Sequence, residues 1–208
     1  LPAASAPGLG LAGPHQLVNA GLALAAWRHL APLLGKNADN TAAQAHGLAH
    51  AFVPGRLQSV PGTKDSPPML LDGAHNPHGM RALLRALDAA DIRPAGAVFS
   101  CLGDKDWRTS ALMLKHWLGA APLVIPALDN PRAADPREVA RACNGLPPAT
   151  ATVFEGPRAL PDALAAARRL EGADPERPVL LTGSLYLLAE FFALFPHLLA
   201  AVPPKALP

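Results

Sequence analysis

A chain of 208 residues, half of them apolar, 16% charged and with a net charge of +2, has the balance of a globular protein and the length for one sizeable core or for one domain plus an appendage. It carries no polybasic run for nucleic acid or an anionic membrane surface, and Glu190, Pro196 and His197 interrupt its longest apolar stretch, which argues against a membrane span. Two cysteines, Cys101 and Cys143, are too few for a disulfide framework and suit a reduced, cytoplasmic setting.

The chain opens on LPAASAPGLGLAGP, without an initiator Met or a basic leader, so we expect it to begin partway through a longer protein and not at a signal peptide. Gly13 and Pro14 then introduce HQLVNAGLALAAWRHL, where Leu17, Ala20, Leu24 and Trp27 recur at helical spacing. The polar GKNADN and a short helix, TAAQAHGLAHAF, follow. VPGRLQSVPGTKDSPP reads as a turn, a short strand and a loop. A domain boundary is expected between residues 36 and 55, dividing a segment 1–50 from a domain 51–208.

From Met69 the pattern becomes rhythmic. MLLD is a strand, and residues 77–90 form a helix with Met80, Leu83, Leu84 and Leu87 on one face. AGAVFSCL is a strand and DWRTSALMLKHWLG a helix. PLVIPAL is a strand and DPREVARACNG a helix, with Asp135 as cap, Pro136 at its first position and Glu138 in a capping-box-like place. TATVFEG and PVLLTG are strands, each followed by a helix, RALPDALAAARRLEG and SLYLLAEFFALF. Five strands alternating with helices predict an α/β fold, a mostly parallel sheet of Rossmann-like type flanked by helices on both faces. In such sheets ligands bind at the carboxyl ends of the strands.

That edge holds the richest segment of the chain, DGAHNP, residues 72–77. Asp72 sits at what we expect to be an exposed strand end, Gly73 lets backbone pass close to a ligand, and Asn76 can cap a helix whose first residue is Pro77. His75 then lies at a helix N-terminus, where free N–H groups and the dipole favour anions such as phosphate. An acid able to accept from ribose hydroxyls beside such a histidine makes a nucleotide contact. A capped turn with a surface histidine is the alternative on spacing alone.

DGAHNP, together with PGRLQ, GPHQLVNAGLAL, LGDKDW and LLTGSLYLLAE, resembles folylpolyglutamate synthase/dihydrofolate synthase of the Mur ligase superfamily, with the motifs in the family's order. The resemblance implies that residues 51–208 are the Rossmann-like C-terminal ligase domain. It also implies that residues 1–50 are a helical remnant of the central ATPase domain and its linker. No GxxxxGK[ST] phosphate loop is present. On the family pattern the Mg2+ ligands also belong to the N-terminal part, so this stretch alone is expected not to catalyse ligation.

The resemblance assigns nucleotide contacts to Asn19, Arg56, Asp72 and His75. Asn19 has amide groups for the adenine and Arg56 a charged fork for phosphate. A helix-surface amide and a structural salt bridge are the plainer readings of these two. The implied partners are ATP, L-glutamate, dihydropteroate or a reduced folate, and the N-terminal ATPase domain of the same chain. Lys105 in LGDKDW is a candidate for a substrate carboxylate or phosphate, and equally a solvated charged turn. Arg132 in DNPRAADP is similar to the arginine of the DNPR signature in ligases that add a diamino acid to a peptidoglycan precursor, and is a candidate carboxylate receptor. That similarity keeps a peptidoglycan ligase as one alternative. A non-catalytic nucleotide-binding module is another. His46 and His50 lack a third metal ligand, and Ser184 lacks a nucleophile elbow and reads as a helix cap.

Overall fold

The computed structural model describes residues 8–64, 67–148, 150–170 and 173–200. These fall into two compact units, one reaching Val53 and one beginning at Pro54.

The first unit holds two helices, α1 (His15–Leu33) and α2 (Thr41–Ala49). Asn40 caps α2, its side-chain oxygen accepting from the Ala43 N–H at 3.0 Å. Gly10 donates to the Leu48 carbonyl at 2.8 Å, and a Cβ there would lie 2.5 Å from the Ala51 oxygen, so only glycine fits. The helix expected from the spacing of Leu17, Ala20, Leu24 and Trp27 is present, with Ala20, Leu24 and Trp27 half-buried and Leu17 exposed. Gln16 and Ala31 are the buried residues, while Leu17, Val18, Leu22 and Leu30 are exposed. Two helices have too little surface between them to cover a broad apolar stripe.

The second unit is a six-stranded sheet with helices on both faces. Its elements are β1 (Gln58–Val60), β2 (Met69–Leu71), α3 (Pro77–Ala89), β3 (Gly96–Phe99), α4 (Trp107–Leu118), β4 (Leu123–Pro126), α5 (Pro136–Asn144), β5 (Ala151–Phe154), α6 (Ala159–Ala167), β6 (Val179–Thr182) and α7 (Leu185–Leu194), followed by a 3-10 turn (Pro196–Leu199). The strand order is β1-β2-β6-β3-β4-β5. All neighbours are parallel except β1, which runs antiparallel to β2 with Gln58 opposite Leu71. The expected α/β fold and its strand–helix alternation are thus present. The pairing that inserts β6 between β2 and β3 was not legible, because neighbours in a sheet are chosen by non-local contacts.

Strand alternation divides the core. Met69, Leu71, Val98, Val124, Val179 and Leu181 pack with Leu160 and Leu164 of α6 and with Leu187 and Phe191 of α7. The opposite side carries α3, α4 and α5 in a row. The caps follow the local signals. Asp135 accepts from the Arg137 N–H at 2.8 Å, and Ser184 accepts from the Tyr186 N–H at 3.0 Å. Among the described residues, no helix is long and apolar enough to cross a membrane. The opening segment 1–7 and the end of the RALPDALAAARRLEG stretch at 171–172 lie outside the described residues.

Candidate functional site

Because β1 is antiparallel to β2, the turn that precedes β1 comes to lie beside the turn that follows β2. The two turns are the PGRL and DGAH segments. Gly73 donates its N–H to the Gly55 carbonyl at 2.8 Å. Asp72 is buried, and its carboxylate accepts from the Leu57 N–H at 3.1 Å and from the Ala74 N–H at 2.9 Å. The strand ladder continues one residue further, with Asp72 N–H on the Leu181 carbonyl at 3.0 Å, and Gly183 closes onto the Ala74 carbonyl at 3.0 Å.

The PGRL turn is conformationally costly. Gly55 has φ +70° and Leu57 φ +44°, the second in a region that non-glycine residues seldom visit. Gly55 is also pressed against α7, since a Cβ there would sit 2.4 Å from Leu188 Cδ1. A Cβ on Gly73 would sit 2.6 Å from Leu185 Cδ2 and 3.5 Å from Arg56 Nη1. The guanidinium of Arg56 therefore lies over the Gly73 backbone, half-buried, between two turns that hold one another.

His75 is half-buried, and its Nδ1 lies 2.9 Å from the Gly73 carbonyl. A carbonyl can only accept, so Nδ1 carries the proton and Nε2 keeps its lone pair in the neutral ring. Asn76 caps α3 by accepting from the Gly79 N–H at 2.8 Å, with Pro77 as the first helical residue, as expected. Arg56, Asp72 and His75 are thus brought together at the carboxyl edge of the sheet. Asp72 differs from the expectation of an exposed strand end, since two backbone N–H groups already occupy its oxygens.

Asn19 belongs to the first unit, where it is exposed on α1 and donates from Nδ2 to Gln16 Oε1 at 2.8 Å. Gln16 in turn lies 3.1 Å from His15 Nε2.

A second cluster forms along the same edge of the sheet, after β3 and β4. Gly103 donates to the Arg132 carbonyl at 2.7 Å, and Ala134 donates to the Cys101 carbonyl at 3.0 Å. These bonds zip the GDKD turn to the DNPR turn, with Leu102 bridging Ala133. Arg132 points its fork at Asp104, donating from Nε to Oδ2 at 3.1 Å and also from Nη2. That hydrogen bond holds the Asp104 carboxyl below the usual carboxylate range and raises the guanidinium in turn. Lys105 is exposed in the turn, and Asp106 caps α4 by accepting from Thr109.

Two residues that sequence reasoning missed complete this cluster. Glu190 of α7 accepts from the Asp129 N–H at 2.9 Å and so anchors the DNPR turn; burial pushes its carboxyl upward, opposed by that N–H. Tyr186, one turn earlier on α7, acts electrostatically on Arg132 and is 44% exposed. Their i, i+4 spacing is ordinary for a helix, and nothing in it signals a partner loop.

Among the described residues, no three His, Cys, Asp or Glu side chains gather where a metal ion could bind. His46 and His50 stack with ring centroids 4.0 Å apart, and His50 Nδ1 engages the His46 carbonyl at 2.8 Å. Cys101 and Cys143 are free, buried thiols.

Comparison with known proteins adds an independent observation. Residues 55–185 match the family described as Mur ligase, glutamate ligase domain. The chain is 36% identical over 132 residues to a UDP-N-acetylmuramoyl-L-alanyl-D-glutamate--2,6-diaminopimelate ligase of Synechococcus elongatus, covering 63% of this chain and 26% of the relative. It is 35% identical over 180 residues to a probable bifunctional folylpolyglutamate synthase/dihydropteroate synthase of Haloferax volcanii, covering 86% of this chain and 20% of the relative. Among solved structures, Mycobacterium tuberculosis folylpolyglutamate synthase complexed with ADP and AMPPCP superposes with a TM-score of 0.72 at 32% identity, covering 90% of this chain and 41% of that one. The resemblance to folylpolyglutamate synthase is therefore borne out. The chain spans only 20% to 26% of the length of these curated relatives.

Proposed function

This chain belongs to the Mur ligase family, and from that premise we propose that it is the C-terminal portion of an ATP-dependent ligase that adds L-glutamate to dihydropteroate or to reduced folates. In that reading residues 51–208 are the ligase domain and residues 1–50 the tail of a central ATPase domain. The observation that carries it is the mutual locking of the Arg56 and Asp72–His75 turns at the carboxyl edge of the sheet. That lock presents a guanidinium and a helix N-terminus together.

ATP phosphorylates the pterin substrate's carboxylate in this scheme, forming an acyl phosphate and releasing ADP. The glutamate amine then attacks the acyl carbon, the amide bond forms, and inorganic phosphate leaves. The residues of this chain bind and orient the nucleotide. Arg56 meets the phosphates with its fork, His75 presents Nε2 toward them or toward the facing domain, and Asn19 offers its amide to the base. Asp72 accepts from the ribose through carboxylate lone pairs beyond those that its two backbone N–H donors engage. The described residues offer no cluster of ligands for Mg2+, which, held by the N-terminal part, would supply charge neutralisation at the transferring phosphoryl group. Lys105 and Arg132 serve the carboxylates of the acceptor or of glutamate. Closure of this domain over the nucleotide excludes water and protects the acyl phosphate. The reaction belongs in the cytoplasm, where free thiols persist.

A second reading has its own support. The Synechococcus relative is a diaminopimelate ligase, and Arg132 in DNPR suits the carboxylate of an incoming diamino acid. ADP release by the full-length parent distinguishes the readings. Supplied with Mg-ATP, L-glutamate and either dihydropteroate or tetrahydrofolate, the parent is expected to release ADP only when glutamate and a pterin are both present, with the 208-residue chain silent. Turnover with a muramyl peptide and diaminopimelate instead would replace the folate reading. A parent that binds ATP but turns over none of these substrates would favour a nucleotide-binding module.

A further inference from the structure

Away from both clusters, on the sheet face covered by α6 and α7, a cavity of about 750 Å³ is lined by Lys64, Arg158, Arg168 and Arg169 above a floor that includes Leu164 and Phe195. The size is that of a small-molecule site. Arg158 immediately precedes α6, and Arg168 and Arg169 immediately follow it, so the cations bracket a helix about 13.5 Å long. Lys64 joins them from the segment between β1 and β2, at the edge of the sheet opposite the candidate site.

A helix C-terminus favours cations, which accounts for Arg168 and Arg169. It accounts neither for Arg158 at the other end nor for Lys64 from another segment. No acidic residue lines the cavity among the described residues. Arg158 shares a loose, exposed contact with Asp162 at 3.5 Å, whereas Lys64 and Arg168 form no ion pair with any described residue. Four cations and no carboxylate along one groove give it a positive potential that favours an anion, and the apolar floor gives that anion a body to pack.

We propose that this groove is a second ligand site, distinct from the nucleotide site, that takes an organic polyanion with an aromatic body. The acidic row lies along the α6 cations, and the ring packs on Leu164 and Phe195. A pteroyl oligo-γ-glutamate has this chemistry, and choosing it as the ligand rests on the folate reading above; the groove would then sense accumulated product.

The test is titration of the 15N-labelled 208-residue chain, followed by NMR, with pteroyltri-γ-glutamate, with tri-γ-glutamate and with tripolyphosphate. Saturable shifts are expected for residues 158–169 and 194–195, with the pteroyl compound binding about ten-fold more tightly than tri-γ-glutamate, as an added buried ring contact predicts. The exposed pair Lys64→Glu with Arg168→Glu, checked for an unchanged amide spectrum elsewhere, is expected to weaken binding by about ten-fold or more. Absence of shifts in these segments, equal binding by the charge-reversed variant, or equal affinity for tripolyphosphate and the pteroyl compound would each overturn the proposal. ADP release by the parent reports separately on the folate reading. Shifts without pterin-dependent turnover would sink that reading and leave the site, and turnover without shifts would do the reverse.

Discussion

Asp72 Oδ2 accepts the backbone N–H of Leu57 at 3.1 Å, across 15 positions of sequence, while Oδ1 accepts from Ala74 at 2.9 Å. One buried carboxylate thereby ties the turn bearing Arg56 to the turn bearing His75. The bond also opposes the unfavourable backbone of Leu57, whose φ is +44°. This makes Asp72 a structural clamp at the candidate site as well as a candidate contact.

Asp72→Ala leaves two buried N–H donors without their acceptor and is expected to cost about 3 kcal/mol of stability, since hydrogen bonds to a charged group contribute about 1.5–3 kcal/mol each. The strand end read from sequence as exposed would have tolerated the change, and its burial is the reason it does not. Urea denaturation of the 208-residue chain measures it. An unchanged midpoint would show that the clamp contributes nothing.

The conformations of Gly55 and Asp91 predict opposite outcomes. Gly55→Ala adds a Cβ at φ +70° within 2.4 Å of Leu188 Cδ1, and is expected to destabilise by about 2 kcal/mol or more. Asp91 follows α3 at φ +51°, with Ile92 N–H on the Leu87 carbonyl at 2.9 Å and its own N–H on Asp88 at 3.1 Å, a Schellman closure that normally carries glycine. Asp91→Gly is expected to stabilise by about 0.5–1 kcal/mol. Thermal unfolding of both variants beside the parent sequence checks the pair.

Arg132 and Asp104 form an exposed ion pair, a kind that adds little to stability. Arg132→Ala should leave the melting temperature where it was. If Arg132 receives a substrate carboxylate, the same change in the full-length parent raises KM for the amino-acid substrate with a smaller effect on kcat. A lower melting temperature with an unaltered KM would make it a structural residue instead.

Burial pushes the Cys101 thiol up to about 12 and the Cys143 thiol up to about 11, from an ordinary value of 9.0. Above pH 9 the unfolded chain ionises both thiols and the folded chain does not, so the folded state binds more protons and stability falls as pH rises. Each thiol contributes a slope approaching about 1.4 kcal/mol per pH unit until its folded value is reached. Denaturation at pH 8, 9.5 and 10.5 for the parent sequence and for Cys101→Ala isolates the effect. Identical slopes for the two would contradict it. Below pH 9 the thiols should also resist a thiol reagent in the folded chain.

Helix periods, caps and strand ends were legible in the residues because their causes are local. Met80, Leu83, Leu84 and Leu87 repeat at helical spacing, Asn76 and Ser184 cap the helices they precede, and glycine and proline mark the turns between. The alternation of strand and helix determined a parallel sheet and the edge where a ligand would lie, and the DGAHNP segment pointed to the family. Tertiary structure alone decided which turns meet there. The antiparallel pairing of β1 with β2 sets Arg56 beside Gly73, the insertion of β6 between β2 and β3 supplies the Leu181 carbonyl to Asp72, and α7 brings Glu190 to the DNPR turn. Those partners lie between 17 and 109 positions apart, and hydrophobic pattern, which reports the face a residue occupies, carries no information about which distant face it will meet.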